Sequence, residues 1–196
     1  METTRRSWAG TALEERRRVR REALLTAGIQ LLGAVDRSAS NVRAVCRAAG
    51  LTERYFYESF GDRDTFVRAV YDEVGARARS ALIAAVEGAP ANKRAGAAVR
   101  VFVELMVDDP AMGRVLLLAP LREPAIGTSG VELAPRFVTL VREQLAIEDP
   151  DKRHMVAVGL VGALTSLFMG YLEGTIAVPR ETLVRHCVDL VESAGR

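Results

Sequence analysis

From Ala23 to Val191 the apolar residues of this 196-residue chain return at three- and four-residue intervals, and no useful length alternates apolar with polar. Half-buried strands need alternation, whereas a helix buries one stripe at a spacing of three or four. The pattern therefore predicts an all-α fold of about nine helices. With 49% hydrophobic residues, the chain can bury a core and fill one large domain or two small ones.

Caps and breakers divide the pattern. An Arg-rich run leads into a first helix of about Leu13 to Leu32, and "DRSAS" ends it. Asn41 suits the N-cap of a short second helix that Gly50 stops, Thr52 that of a third, "ERYFYES", and Asp62 that of a fourth running from Arg63 toward Val86. Helical spacing continues over Ala97 to Val107, and in "DDPAMGRVLLL" Asp109 caps with Pro110 at the first helical position. The Pro- and Gly-rich segment from Pro120 to Gly130 predicts a long flexible loop, with Pro135 in the first turn of a helix that ends near Leu145. Two helices close the chain, from Asp151 to about Gly174 and from Arg180 to about Glu192.

Composition narrows the class. Cys46 and Cys187 lie far apart with no CxxC and no His cluster, so neither a disulfide framework nor a zinc site is expected, and His154 and His186 stand alone; no metal and no cofactor is predicted. The charged N-terminus is not a secretory signal, which points to the cytoplasm. Met155 to Leu172 is uncharged for 18 residues, at the lower edge of a membrane span. Its small residues, Thr165 and Ser166 favour instead a helix buried on more than one face, against its own core and a partner chain, with no membrane. A net charge of +2 hides an asymmetry: 13 arginines face 9 acids through residue 70, and the remainder is acidic. The front third also carries Tyr55, Phe56, Tyr57 and Phe60 within six positions.

A short helix, a Gly-containing turn and a second short helix have the spacing of a helix-turn-helix, whose second helix enters the major groove of DNA. Two helical turns cannot stay folded alone. Phe56 and Phe60, four apart, are the expected anchors, while Tyr57 lies near Glu53 and Arg54, where a phenol can reach phosphate, sugar or a thymine methyl. An aromatic core of a small helical lobe would use the same rings.

The run Ser40 to Phe66, "SNVRAVCRAAGLTERYFYESFGDRDTF", resembles the DNA-binding head of the TetR (tetracycline-repressor-like) family. Val45 and Cys46 stand in that family's Ile-Ala slots, Thr52 is its cap, Tyr57 its tyrosine, Phe60 its closing ring, and Arg63 sits where a lysine commonly touches phosphate. Arg21 before "EALLTAGIQLL" is similar to the first-helix signature, and "GLVGALTSLFMGYLEG" to the dimerising penultimate helix. Asp36, Arg37 and Ser59 depart from the pattern, and Tyr55 is larger than usual. The resemblance implies a helix-turn-helix domain over residues 1–70, with a flexible basic arm over about 1–12 that includes Arg5 and Arg6, and a ligand-binding and dimerisation domain over 71–196.

Chemistry and resemblance together assign Thr52, Tyr57 and Arg63 to phosphates, Asn41 and Arg43 to the same backbone or an adjacent base, and Glu53, Arg54 and Tyr55 to base edges. The resemblance further implies a homodimer on a double-stranded palindromic operator, a repressor released by a small apolar inducer. Phe102, Met106, Met112, Leu116, Phe137, Phe168 and Met169 suit a cavity wall, and ordinary core packing would use the same residues. Gly159, Gly162, Ala163 and Ser166 permit close helix approach, with Leu167 between them and Leu183, Val184, Val188 and Val191 completing a four-helix dimer interface. A ligand-independent DNA-organising protein would use the same head. An all-helical enzyme finds no convergent nucleophile, base or phosphate loop, so no enzyme is expected.

Overall fold

The computed structural model describes residues 3–35 and 41–194, with backbone alone at 3–12 and 128–132. It contains nine α-helices and, among the described residues, no strand: α1 (Thr3–Leu32), α2 (Val42–Ala48), α3 (Glu53–Phe60), α4 (Arg63–Glu87), α5 (Arg94–Val103), α6 (Pro110–Gly113), α7 (Gly127–Arg142), α8 (Pro150–Glu173) and α9 (Arg180–Ala194). The expected all-α class and helix number are those observed.

The head is α1, α2, α3 and the first turns of α4, packed on Leu24, Val45, Phe56, Phe60 and Phe66. Asn41 and Asp62 cap α2 and α4 as expected, their side chains accepting from the Ala44 and Thr65 N–H groups. Gly50 and Gly61, with φ of 65° and 77°, make the turns that enter and leave α3. A β-carbon would be strained in either conformation. The core does not stop at the head. Val67, Val70 and Val74 of α4 belong to one apolar cluster with Leu24 and Phe56 on one side and Met106, Met112 and Leu133 on the other.

Three boundaries differ from expectation. Helix α1 begins at Thr3, so the segment expected as an arm is helical backbone from there; it contains no proline, and its Ala and Arg residues favour helix. The segment 120–130 is not a long loop: Ala119–Leu121 and Pro124–Ile126 are 3₁₀ turns, Ile126 is fully buried, and α7 starts at Gly127. Pro135 therefore lies inside α7 rather than in its first turn. Between α5 and α7 the chain widens into π turns over Glu104–Asp108 and Arg114–Leu118, on either side of the short α6. Asp36 and Arg37, the departures before the second helix, lie outside the described residues.

Behind the head, α4, α5, α7, α8 and α9 form the body. A second apolar cluster joins Val99 and Val103 of α5 to Phe168 of α8 and Leu183, Val184 and Cys187 of α9. Arg180 ties the start of α9 to Asp108 through bonds of 2.6 and 2.8 Å.

Candidate DNA-binding face and ligand cavity

Helix α3 divides by face. Phe56 and Phe60 are buried, and Phe66 of α4 stacks against both with ring centroids 5.0 and 4.9 Å away. Glu53, Arg54, Tyr57 and Glu58 stand outward in solvent, Tyr57 half exposed. Ion pairs tie this face together: Arg54 donates to Glu58 at 2.7 Å, and Arg43 of α2 to Glu53 at 3.3 Å. The Arg54 bond holds the Glu58 carboxyl below the usual carboxylate range. Both arginine side chains are more than four-fifths exposed, so these pairs are weak and exchangeable. Thr52 is exposed and extended at the start of α3, its side chain making no capping bond.

Two expected contacts are placed elsewhere. Tyr55 turns to the flank of α3, half-buried, with the Arg20 guanidinium 4.1 Å from its ring centre, because position 55 faces α1 rather than the open side. Arg63 reaches into the body: it donates to both oxygens of Glu123 at 3.2 and 3.3 Å, and the Glu123 side chain is only 9% exposed. Opposite charge at a buried carboxylate outcompetes the outward orientation expected for a phosphate contact. Asn41 spends its side-chain oxygen on the α2 cap.

The residues the sequence reading missed are on α1. Arg21 lies 4.4 Å over the Phe60 ring and donates to the Ser59 carbonyl, while Arg17 and Arg20 lie near enough to act on the Glu58 carboxylate. The run "RRRVRR" carried that signal, but its register toward α3 needed the fold.

In the body a cavity of about 960 Å³ opens between α4, α5, α7, α8 and the end of α9. Phe102, Leu116, Phe137, Phe168 and Met169 line it as expected, with Phe102 at 5.0 Å from Phe168 and 6.5 Å from Phe137, ring centre to ring centre. Met106 and Met112 do not. Both are buried in the cluster that joins head to body, because the π turn and α6 rotate them away from the cavity. Tyr71, Leu133 and Thr165 line it without having been expected. So do Pro120, Leu121 and Gly127, which bracket Glu123 along the chain.

The expected dimer residues separate into two groups. Gly159, Gly162 and Ser166 are exposed on α8 beside Met155 and Val158, which are 66% and 47% exposed, and Ala163 and Leu167 are half-buried at the edge of that stripe. A β-carbon on Gly159 or Gly162 would meet nothing within 4 Å. Leu183 and Val184 instead face inward with Cys187 onto α5, and Val188 and Val191 pack half-buried beside them, because α9 spends its apolar stripe inside the protomer. Helix α8 is long and apolar enough to cross a membrane by length and composition; here it packs against α7 and α9. Both cysteines are free and buried, and burial pushes the Cys187 thiol up to about 11.

No protein-family model matches the chain, and no curated protein does. Solved structures do. The chain is similar to a TetR-like transcriptional regulator from Rhodococcus sp. RHA1, at 18% identity and a TM-score of 0.68, with 88% of this chain and 93% of that one covered. A second Rhodococcus sp. RHA1 transcriptional regulator superimposes with a TM-score of 0.74 at 15% identity, covering 89% and 95%. The multidrug binding protein EbrR, solved in complex with imidazole, gives 0.63 at 21% identity, covering 87% and 94%. Short helix, glycine turn, aromatic-anchored helix and helical body together make the fold of this chain that of the TetR-like transcriptional regulators.

Proposed function

We propose that the chain is a sequence-specific DNA-binding transcriptional regulator of the cytoplasm, acting as a homodimeric repressor on a palindromic operator and released by a small apolar ligand. The carrying observation is the two-faced α3. Its aromatic side is locked into the head by Phe56, Phe60 and Phe66, and its polar side presents Glu53, Arg54 and Tyr57. In this reading Arg54 exchanges Glu58 for the paired acceptors of guanine, Glu53 accepts from cytosine, and Tyr57 and Thr52 meet phosphate. Arg43 and the α1 arginines Arg17 and Arg20 add positive charge beside the same groove. Tyr55 positions α3 against α1 rather than reading a base.

The open α8 stripe supports the dimer. Small residues flanked by Met155 and Val158 allow two copies of α8 to approach closely across a two-fold axis. Two heads must then match half-sites about 34–36 Å apart. The cavity supports the release step. Pro120, Leu121 and Gly127 line it, and Glu123 between them grips Arg63 at the first residue of α4, directly after α3. A ligand that displaces this segment pulls on the head and spoils the spacing.

The test is enrichment of a random duplex library by the purified protein at near-physiological salt, beside an Arg54→Ala, Tyr57→Ala variant. A palindrome that emerges with the native protein and fades with the variant is the expected result. Equal, weak binding of every sequence by both, governed only by salt, would replace the regulator with a DNA-organising protein.

A further inference from the structure

The cavity is long and chemically uneven. Its α4 wall runs from Tyr71 to Val86, about 22 Å at the helical rise of 1.5 Å per residue. The charged residues at its edge, Arg94, Glu143 and Glu192, are all solvent-exposed and gather where α4, α7 and α9 end, away from the head. Among the described residues the inner end is lined by Leu116, Leu133 and Phe168, with one buried polar group among them. Tyr71 is 3% exposed, lines the cavity, and its hydroxyl makes no hydrogen bond among the described residues. Thr165, on the opposite wall, likewise makes no side-chain hydrogen bond among them.

A buried hydroxyl without a partner is destabilising, and native proteins leave few of them. Here the missing partner has room to arrive from the cavity. Burial pushes the Tyr71 phenol up to about 12, so at neutral pH it is a protonated donor. Among the described residues no cation lines the inner end to offset a carboxylate or phosphate, and no carboxylate lines it to hold an ammonium; burying an unpaired charge there would be costly. Three phenylalanine rings on the walls favour flat, aromatic or alicyclic skeletons.

We infer that the cavity takes an uncharged, mostly apolar compound bearing a carbonyl or hydroxyl oxygen, and that the Tyr71 hydroxyl donates a hydrogen bond to that oxygen at the inner end. The inference rests on the ligand-responsive reading of the cavity and adds to it the ligand class, its orientation and the residue that selects it. Tyr71 lies on α4, eight residues from Arg63, so the selected oxygen is held by the helix that carries the head.

Matched pairs test it: 9-fluorenone against fluorene, and 4-phenylphenol against biphenyl, titrated calorimetrically into the native protein and a Tyr71→Phe variant. The native protein is expected to bind the oxygenated member of each pair about tenfold or more tighter, and Tyr71→Phe to abolish that preference while binding the hydrocarbons as before. Thermal unfolding of the unliganded variant should be unchanged or raised, since the substitution removes only the unpaired hydroxyl. A preference that survives in Tyr71→Phe, or no preference in the native protein, overturns the assignment of Tyr71. Failure of all four probes to bind overturns the ligand class. Either result leaves the regulator reading standing if the operator enrichment succeeds, and failure of that enrichment with oxygen selection intact would sink the regulator alone.

Discussion

The head and the body of this molecule use the same kinds of residue to opposite ends. In the head, Phe56, Phe60 and Phe66 meet ring against ring at 4.9 to 5.7 Å and fill their space. In the body, Phe102, Phe137 and Phe168 stand around a hollow of about 960 Å³. A filled core fixes one geometry for α3, whereas a hollow one leaves its walls free to accept a guest. Under the proposed function, rigidity falls where a groove must be matched and adaptability where a ligand must enter.

The contrast can be broken most directly by truncating one ring in each region. Phe56→Ala should cost about 3–5 kcal/mol, the range for a fully buried phenylalanine, whereas Phe137→Ala, half-buried at the cavity wall, should cost less than about 1.5 kcal/mol. Denaturant unfolding of both variants decides it, and equal losses would mean that the body is as tightly filled as the head.

The two regions also differ in what they leave uncovered: α3 shows charge, α8 shows small and apolar side chains. Gly162→Glu should therefore yield a monomer by light scattering at micromolar concentration. The protomer should unfold within about 0.5 kcal/mol of the native one, as expected for a surface site away from packing. A dimer that persists would remove α8 from the interface.

Glu123→Gln sharpens the link between the regions. Removing one charge of the Arg63 pair should lower stability by about 1–2 kcal/mol, because Arg63 is partly exposed and can re-solvate. Ligand affinity should hold while ligand-induced release of DNA weakens, read by fluorescence anisotropy of a labelled operator. Release at the native level would leave Glu123 a purely structural residue.

The smallest effect concerns the α4 cap. The Asp62 carboxylate accepts from the Thr65 N–H at 2.7 Å and the Thr65 hydroxyl at 3.1 Å, which holds its pKa below the ordinary 3.8. A depressed carboxylate contributes stability that is complete above its unfolded value and lost as pH falls through the lower folded one. Acid titrations should thus show a slightly shallower loss below about pH 4 in Asp62→Asn, which keeps the capping oxygen without titrating. Superimposable curves would assign acid sensitivity elsewhere.

Most of the head was legible in the sequence because local rules govern it. Asn41, Gly50, Thr52 and Asp62 punctuate short helices, and the spacing of Phe56 and Phe60 names the inner face. The body was legible only as helices. Periodicity says which side chains turn inward, not whether the space they face is filled, so Met106 and Met112 could not be told from Phe102 and Phe168. Leu183 and Val184 looked like interface because their partner stripe, Val99 and Val103, lies some eighty residues away. Proline and glycine content suggested a loop over 120–130, yet Ile126 and Glu123 bury there. Arg63 was read from its place in a motif, and only the fold brings Glu123 to it.

Between Phe60 and Arg63 there are two residues, Gly61 and Asp62, one fixed by its positive φ and the other by its cap. Helix α3 consequently has no slack of its own. Helix α4 is about 37 Å long at 1.5 Å per residue, so a tilt of about 5° pivoting at its far end carries α3 sideways by about 3 Å. Nearly a full base-pair step at α3 thus corresponds to a tilt of only about 5° at the far end of the lever.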